Sequence, residues 1–587
     1  MQLEELGLIG NCQFSALIAN SGAVVWCCLP RFDSEPVFGS LLDPDGGEFV
    51  VAPADGSCGK QHYVENSNVL VTEFSGPGWR FRVVDFAPRF SQHDRVFRPT
   101  QLLRIVEPME GTPVIRVRFA PRLGWSKNTP QFLQGSNHIR AEGFAAPLRL
   151  TSDVSPTHLD GQPFTLTERH HLVLSWGPPV EEALAPLCDS HMRQTVLYWQ
   201  RWVKHCNIPP AYQQAVIRSA LALKLHCFDD TGAIVAAMTT SIPEAPGSGR
   251  TWDYRYCWLR DAYYVLDALR LLGHFEEREQ FIQYLIDIAA SAPELDLKPL
   301  YRIDGSGELT EQVLDNWAGF NGDGPVRIGN AAALHQQHDV FGEMVMALAP
   351  IYMDDRFALE RSPSTLDLLE RLAHKAINVA GTPDAGIWEF RKTWEPQTFS
   401  SLMCWAGADR MASITQRHHP ARADEFRAAA TKIHEQIMQR AWCGVRNGFA
   451  STYGGQDMDA ALLQMATLRF LPHDDPRLTS TVDAIESALS DHGWLFRYRN
   501  DDGLGATEVA FVICTFWLVE ALATTGRTQA ARTMMDRAQQ ALTSLGLIAE
   551  DYGTSTRRMS GNFPQAYSHV GLIHAAFAAS PRWRDVL

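Results

Sequence analysis

Pro209-Pro-Ala-Tyr-Gln-Gln-Ala-Val-Ile-Arg-Ser-Ala-Leu-Ala-Leu-Lys-Leu-His-Cys227 is where the chain changes its rule of construction. Two prolines open it, well placed for a first helical turn, where a missing N–H would be unpaired anyway. Tyr212, Val216, Ala220, Leu223 and Cys227 then recur at three- and four-residue intervals and form one apolar stripe. The first third of the chain reads at a different period.

Upstream, from about Gly10 to Trp176, short runs alternate apolar and polar residues. Val69–Phe74, Trp79–Val84, Val114–Phe119 and Phe164–Thr167 are examples, separated by turn signals such as Ser75-Gly-Pro-Gly78 and Asp45-Gly-Gly47. Alternation at period two with β-branched and aromatic residues predicts half-buried antiparallel strands in a sandwich. Gly177-Pro178-Pro179 closes that region, and a helical stretch covers roughly Leu187 to His205. Downstream, helical stretches begin near Leu259, Glu276, Gly329, Ser364, Thr398, Ala421, Asp457, Thr479, Glu508, Thr528 and Phe563. An even set of helices suggests paired rings. The expected division is a β-sandwich over 1–180, a helical linker over 181–209 and an all-α domain over 210–587.

With 587 residues the chain exceeds what one core normally supports, so two domains are expected. No segment approaches the roughly 20 apolar residues of a membrane helix, and the acidic Met1-Gln2-Leu3-Glu4-Glu5 lacks a signal peptide's pattern. Eleven scattered cysteines without a CxxC favour reduced thiols, which together with the N-terminus predicts a cytoplasmic protein. A formal net charge of −15 with no basic run disfavours nucleic acid and anionic membranes as partners and suits an uncharged ligand. Homo-oligomerisation is left open by these numbers.

Chemistry concentrates in four loop segments: Thr251-Trp-Asp-Tyr-Arg-Tyr-Cys-Trp-Leu-Arg-Asp261, Asn316–Arg327, Asp384-Ala-Gly-Ile-Trp-Glu-Phe-Arg391, and Gly546–Tyr552 followed by Gly561–Tyr567. All are rich in aromatic, acidic and arginine residues. Cleaving a glycosidic bond takes one carboxylic acid to protonate the leaving oxygen and one carboxylate to activate water or attack carbon. Glu389 beside Trp388 suits the acid, since an apolar neighbour raises a carboxyl pKa, and Glu550 beside Asp551 and Tyr552 reads as the more polar, ionised partner. His335 and His338 have HxxH spacing in a stretch, Gly329–Ala349, read as helical. Without the glutamate of HExxH the metal signal is weak, and no metal is expected. No GxSxG, GxGxxG or P-loop pattern occurs, so nucleophilic serine chemistry and nucleotide cofactors have no support.

These motifs, in this order, resemble glycoside hydrolase family 15, the glucoamylases, glucodextranases and bacterial-type trehalases. The resemblance runs from Gly22-Ala-Val-Val-Trp-Cys-Cys-Leu-Pro-Arg-Phe-Asp-Ser34 through the segment ending at Asp261 and the Glu389 motif to Gly561-Asn-Phe-Pro-Gln-Ala-Tyr567. It implies an antiparallel β-sandwich followed by an (α/α)6 barrel, inversion at the anomeric carbon, and no cofactor. Glu389 matches the general acid and Glu550 the general base. Arg260 and Asp261 resemble the pair that holds the outer hydroxyls of the non-reducing glucose, Arg497 a second sugar-binding arginine, and Tyr254, Trp258, Trp317, Trp388 and Tyr567 the aromatic lining. Asn316-Trp317, where many bacterial members carry a His-Leu segment, tilts the expectation toward a glucoamylase-like exo-hydrolase of α-1,4 or α-1,6 gluco-oligosaccharides, with α,α-trehalase as the alternative. An inverting disaccharide phosphorylase needs no base, and a sugar-binding protein needs neither glutamate, so Glu389 and Glu550 together argue against both.

Overall fold

The two periodicities separate in space as they do along the chain. The computed structural model describes residues 1–391, 393–500, 502 and 509–587. Up to Trp176 the strands form two large antiparallel sheets and a small hairpin, Phe90–Gln92 with Arg95–Phe97. A seven-stranded one is built on Leu6–Gly10, Ser15–Ala19, Ala23–Cys28, Glu48–Pro53 and Val114–Ala120. An eight-stranded one is built on Leu70–Gly76, Trp79–Phe86, Gln101–Glu110 and His170–Trp176. Val114–Ala120 shows the expected alternation of exposed and buried residues. The first three strands do not: every residue of Leu6–Gly10, Ser15–Ala19 and Ala23–Cys28 is buried. Their outer face is covered by the helical domain, where Trp26 donates its indole N–H to the Met238 carbonyl at 2.8 Å.

One buried cation joins the two sheets. Arg104, fully buried in the eight-stranded sheet, donates to Asp85 at 2.7 Å and reaches across to the carbonyls of Phe49 at 2.7 Å and Gly22 at 2.8 Å. The Gly22 carbonyl also accepts the Val51 N–H at 3.1 Å, so the guanidinium adds a second bond there and supplies Asp85 with its charged partner.

Beyond helix Leu184–Lys204, and leaving aside the short helices Pro350–Met353 and Trp583–Val586, twelve helical segments among the described residues alternate between an outer and an inner ring. The inner ones are Ala262–Leu272, Asp339–Leu348, Thr398–His418, the short turn Ala460–Leu463 with Gln464–Leu468, Val512–Thr524 and Ala566–Ala579. Each packs on the next and the last returns to the first, so the ring closes into the (α/α)6 barrel. The inner helices carry the signature of this position. Val512–Thr524, Asp339–Leu348 and Ala566–Ala579 are buried nearly all round, whereas outer helices such as Pro363–Val379 bury one stripe. The expected start at Glu508 lies outside the described residues. Among the described residues no helix is long and apolar enough to cross a membrane.

One helix differs from expectation in a way that bears on chemistry. Gly329–Ala349 is not continuous: a 3-10 turn, Ala331–Leu334, is capped by Asn330, the chain then runs extended from His335, and the helix starts only at Asp339. Asp384 holds this break by accepting the His338 N–H at 2.9 Å. His335 and His338 therefore do not share a helical face. Among the described residues no group of three His, Cys, Asp or Glu side chains is arranged to hold a metal.

The Arg104 bridge yields a stability prediction. Arg104→Ala leaves the Asp85 carboxylate buried without its cation, and unfolding monitored in urea should show a loss of about 3–5 kcal/mol. A loss under 1 kcal/mol would mean that the sheets are joined by apolar packing alone.

Candidate active site

Connections that run into the inner helices are long and carry nearly every polar group that converges at that end of the barrel. The segment 251–261 precedes the inner helix Ala262–Leu272 and acts as a strap across the site. Its Tyr254 hydroxyl donates to Glu550 Oε1 at 2.7 Å. Its Trp258 indole N–H donates to Glu389 Oε1 at 2.9 Å, and Arg260 Nη1 donates to the same oxygen at 3.1 Å. The Tyr254 and Trp258 rings meet edge-to-face with centroids 5.2 Å apart. Two glutamates 161 positions apart are thus oriented by one short segment.

The strap is braced from behind by the β-domain. Arg255, buried, forms a two-pronged pair with Asp253 at 2.9 and 2.7 Å and donates to the Ser34 carbonyl at 2.7 Å. Asp253 also accepts the Tyr256 hydroxyl at 3.0 Å. No β-domain side chain reaches the cavity wall itself.

Each glutamate sits in a constrained backbone. Glu389 has φ of +62°, a conformation that costs a non-glycine residue on the order of 1 kcal/mol or more, and the turn is held by bonds from Glu389 N to Gly386 O and from Phe390 N to Ala385 O. Glu550 leads into the small sheet Ala510–Phe511, Asp551–Gly553 and Arg558–Ser560. Gly561, at φ +74°, lies against it; a Cβ there would stand 2.7 Å from both Cβ and Oε2 of Glu550. Glycine is required at this position by conformation and by space alike.

Four groups that the sequence did not single out complete the site. Glu244 accepts Arg497 Nη2 at 2.7 Å and the Trp252 indole N–H at 3.0 Å. Asp459 accepts the Trp388 indole N–H at 2.9 Å and so fixes that ring. Arg391 stacks on Trp252, its guanidinium carbon 4.2 Å from the ring centroid. Trp252 and Arg391 were inside the quoted motifs but carried no assigned role; Glu244 and Asp459 had no local signal beyond Asp459's place ahead of a helical turn, where it caps Ala461.

Tyr254, Arg260, Trp388, Glu389, Arg497, Glu550 and Tyr567 all line one cavity. Trp258 and Asp261 sit just behind the wall, the latter 3.3 Å from Arg260 Nε. Trp317 is not brought there. It is buried at the domain junction, where its N–H donates to the Trp125 carbonyl at 2.9 Å and its ring packs edge-on against Trp125. The aromatic expected on the leaving-group side is a structural wedge between domains.

The contrast in burial between the glutamates is the reverse of the expected one. Glu550 is the buried residue, at 1% exposure, while the Glu389 side chain is 23% exposed. Burial, reinforced by the nearby Glu244 carboxylate, pushes Glu550 up to about 8, against the opposing pull of the Tyr254 hydrogen bond and Arg497. Burial also raises the adjacent Asp551, and the carboxylate form of Glu550 gains population as the pH rises. Burial likewise pushes Asp261 and Asp459 up to about 6.

Such an array suits general acid–base hydrolysis of a glycoside. It offers two carboxyl groups fixed from one strap, arginines for hydroxyl recognition, and tyrosine and tryptophan rings for the faces of a pyranose. Comparison with known proteins points the same way. The model of the glycosyl hydrolases family 15 matches residues 210–577, and that of a trehalase-like N-terminal domain matches residues 1–163. A trehalase of Thermoplasma volcanium is 32% identical over 593 residues, covering 97% of this chain and 92% of its own. A trehalase of Mycobacterium tuberculosis is 34% identical over 615 residues, covering 98% and 89%. A bacterial glucoamylase solved with acarbose shares the fold at a TM-score of 0.71 and 15% identity, over 98% of this chain and 94% of that one.

The upward shift of Glu550 is open to a direct check. The pH profile of kcat/KM reports free-enzyme ionisations, and it should contain an apparent pKa near 8. Glu244→Gln removes the like charge that helps to raise it, so this pKa should move toward acid. A profile unchanged by Glu244→Gln would show that burial alone sets it.

Proposed function

The chain belongs to glycosyl hydrolases family 15, and from that membership we propose that it is an inverting α,α-trehalase. Its being a glycoside hydrolase follows from the family; the substrate and the roles of individual residues are our reading. The observation that carries the mechanism is the strap, which holds Glu389 and Glu550 in one cavity through separate hydrogen bonds. The observation that favours trehalose is likeness to trehalases along the whole chain, β-domain included. The sequence expectation of a glucoamylase-like enzyme, with trehalase as its alternative, leaned on the Asn316-Trp317 segment, and Trp317 faces the domain junction.

In this reading one glucose of trehalose occupies the cavity, its hydroxyls taken by Arg260, backed by Asp261, and by Arg497. Glu389 protonates the glycosidic oxygen as the C1–O bond breaks. Glu550, as the carboxylate, takes a proton from the water that attacks C1 from the opposite face. Trp258 and Arg260 supply donors that stabilise the Glu389 carboxylate left after protonation, and Tyr254 does the same for ionised Glu550. The attacked glucose leaves as the β-anomer, while the leaving glucose keeps its α configuration.

Proton NMR during the first turnovers should therefore show α- and β-glucose in equal amounts from trehalose, with maltose and isomaltose cleaved far more slowly. Glu389→Gln and Glu550→Gln should each lower kcat by about 10³-fold. Only α-glucose at early times would overturn inversion, and faster cleavage of maltose would return the protein to the glucoamylase-like reading.

A further inference from the structure

With Trp317 buried at the domain junction, the leaving-group side of the cavity must be built by other residues. The general acid defines that side, because it has to touch the oxygen shared by the two sugars. Two residues beyond Glu389, on the same loop, Arg391 lines the cavity with its side chain 32% exposed. Its guanidinium lies 4.2 Å from the centroid of Trp252 and 3.9 Å from Glu311. Among the described residues it donates no hydrogen bond, so its planar fork is positioned by stacking while its N–H groups remain open.

The platform under it is firmly held. Trp252 is pinned by its N–H to Glu244 at 3.0 Å, and the Arg327 guanidinium carbon lies 5.2 Å from the same ring. Glu311 binds Arg327 at 3.0 Å and accepts the Ala331 N–H at 3.1 Å, which fixes the carboxylate that faces Arg391. An arginine oriented in this way, beside the acid and with free donors, suits the vicinal hydroxyls of a pyranose, which accept a two-pronged bond in one plane.

We propose that Arg391, stacked on Trp252 and oriented by Glu311, binds the leaving sugar and sets selectivity for the leaving group. This rests on the glycosidase reading of Glu389. It assigns the second sugar of the substrate to a charged, single-residue clamp at the rim and leaves the first to the deeper Arg260 and Arg497.

The test compares trehalose with α-glucosyl fluoride, whose leaving fluoride is too small to reach the clamp. Arg391→Ala should lower the ratio of kcat/KM for trehalose to kcat/KM for α-glucosyl fluoride by about 30-fold, the worth of a charge-assisted contact. Arg391→Lys, which keeps the charge and loses the fork, should lower it less, and serves as the control if the alanine variant is unstable. An unchanged ratio in both variants, whether or not the individual rates fall, would overturn the clamp. If the wild-type enzyme prefers another disaccharide, the trehalase reading falls, and the same ratio measured on that disaccharide still decides the role of Arg391.

Discussion

A single strap, residues 251–261, determines where both carboxyl groups of the site point. Tyr254 reaches Glu550 and Trp258 reaches Glu389, while the two rings rest on each other. Acid–base cleavage of a glycoside depends on the relative placement of two groups, and placing both from one rigid segment removes most of the freedom they would have on separate loops. Much of the rest of the molecule can be understood as support for this segment. The inner helix Ala262–Leu272 anchors its end, the Asp253–Arg255 pair stiffens its middle, and the pairing of Cys257–Trp258 with Leu300–Tyr301 holds it flat.

The β-domain gains its purpose from the same constraint. It contributes no wall to the cavity, yet Arg255 ends on the Ser34 carbonyl and Trp26 ends on the Met238 carbonyl. Trp317 and Trp125 close the junction beside them. Complete burial of the first three strands follows, since one face packs in the sandwich and the other against the barrel. The sandwich works as a brace, and its own cohesion runs through Arg104.

The all-β and all-α regions were legible because they are written in local periodicity, whereas the closed (α/α)6 barrel came only with the family resemblance. The apolar pattern put helices near Thr398 and Thr528, and helices begin there. Glu389 and Glu550 were legible only through their surrounding motifs. Their environments were not. Trp388 beside Glu389 suggested a dry acid, but that ring turns to Asp459, while Glu550 is enclosed by Glu244, Tyr254 and Arg497 from three distant segments. Trp317 was misplaced for the same reason: its surroundings are set by Trp125 and Gly39, nearly two hundred and nearly three hundred positions away. Gly329–Ala349 differs from its helical reading because Asn330 and Asp384 interrupt a helix that the apolar pattern carried through.

The strap is tested most directly by removing one of its two contacts at a time. In Tyr254→Phe, Glu550 loses a donor to its carboxylate, so the apparent pKa near 8 in the kcat/KM profile should move to higher pH. Trp258→Phe should leave that pKa in place, because its indole serves Glu389. A pKa that stays put in Tyr254→Phe, or that shifts alike in both variants, would contradict the account of one strap holding two independently addressed carboxyl groups.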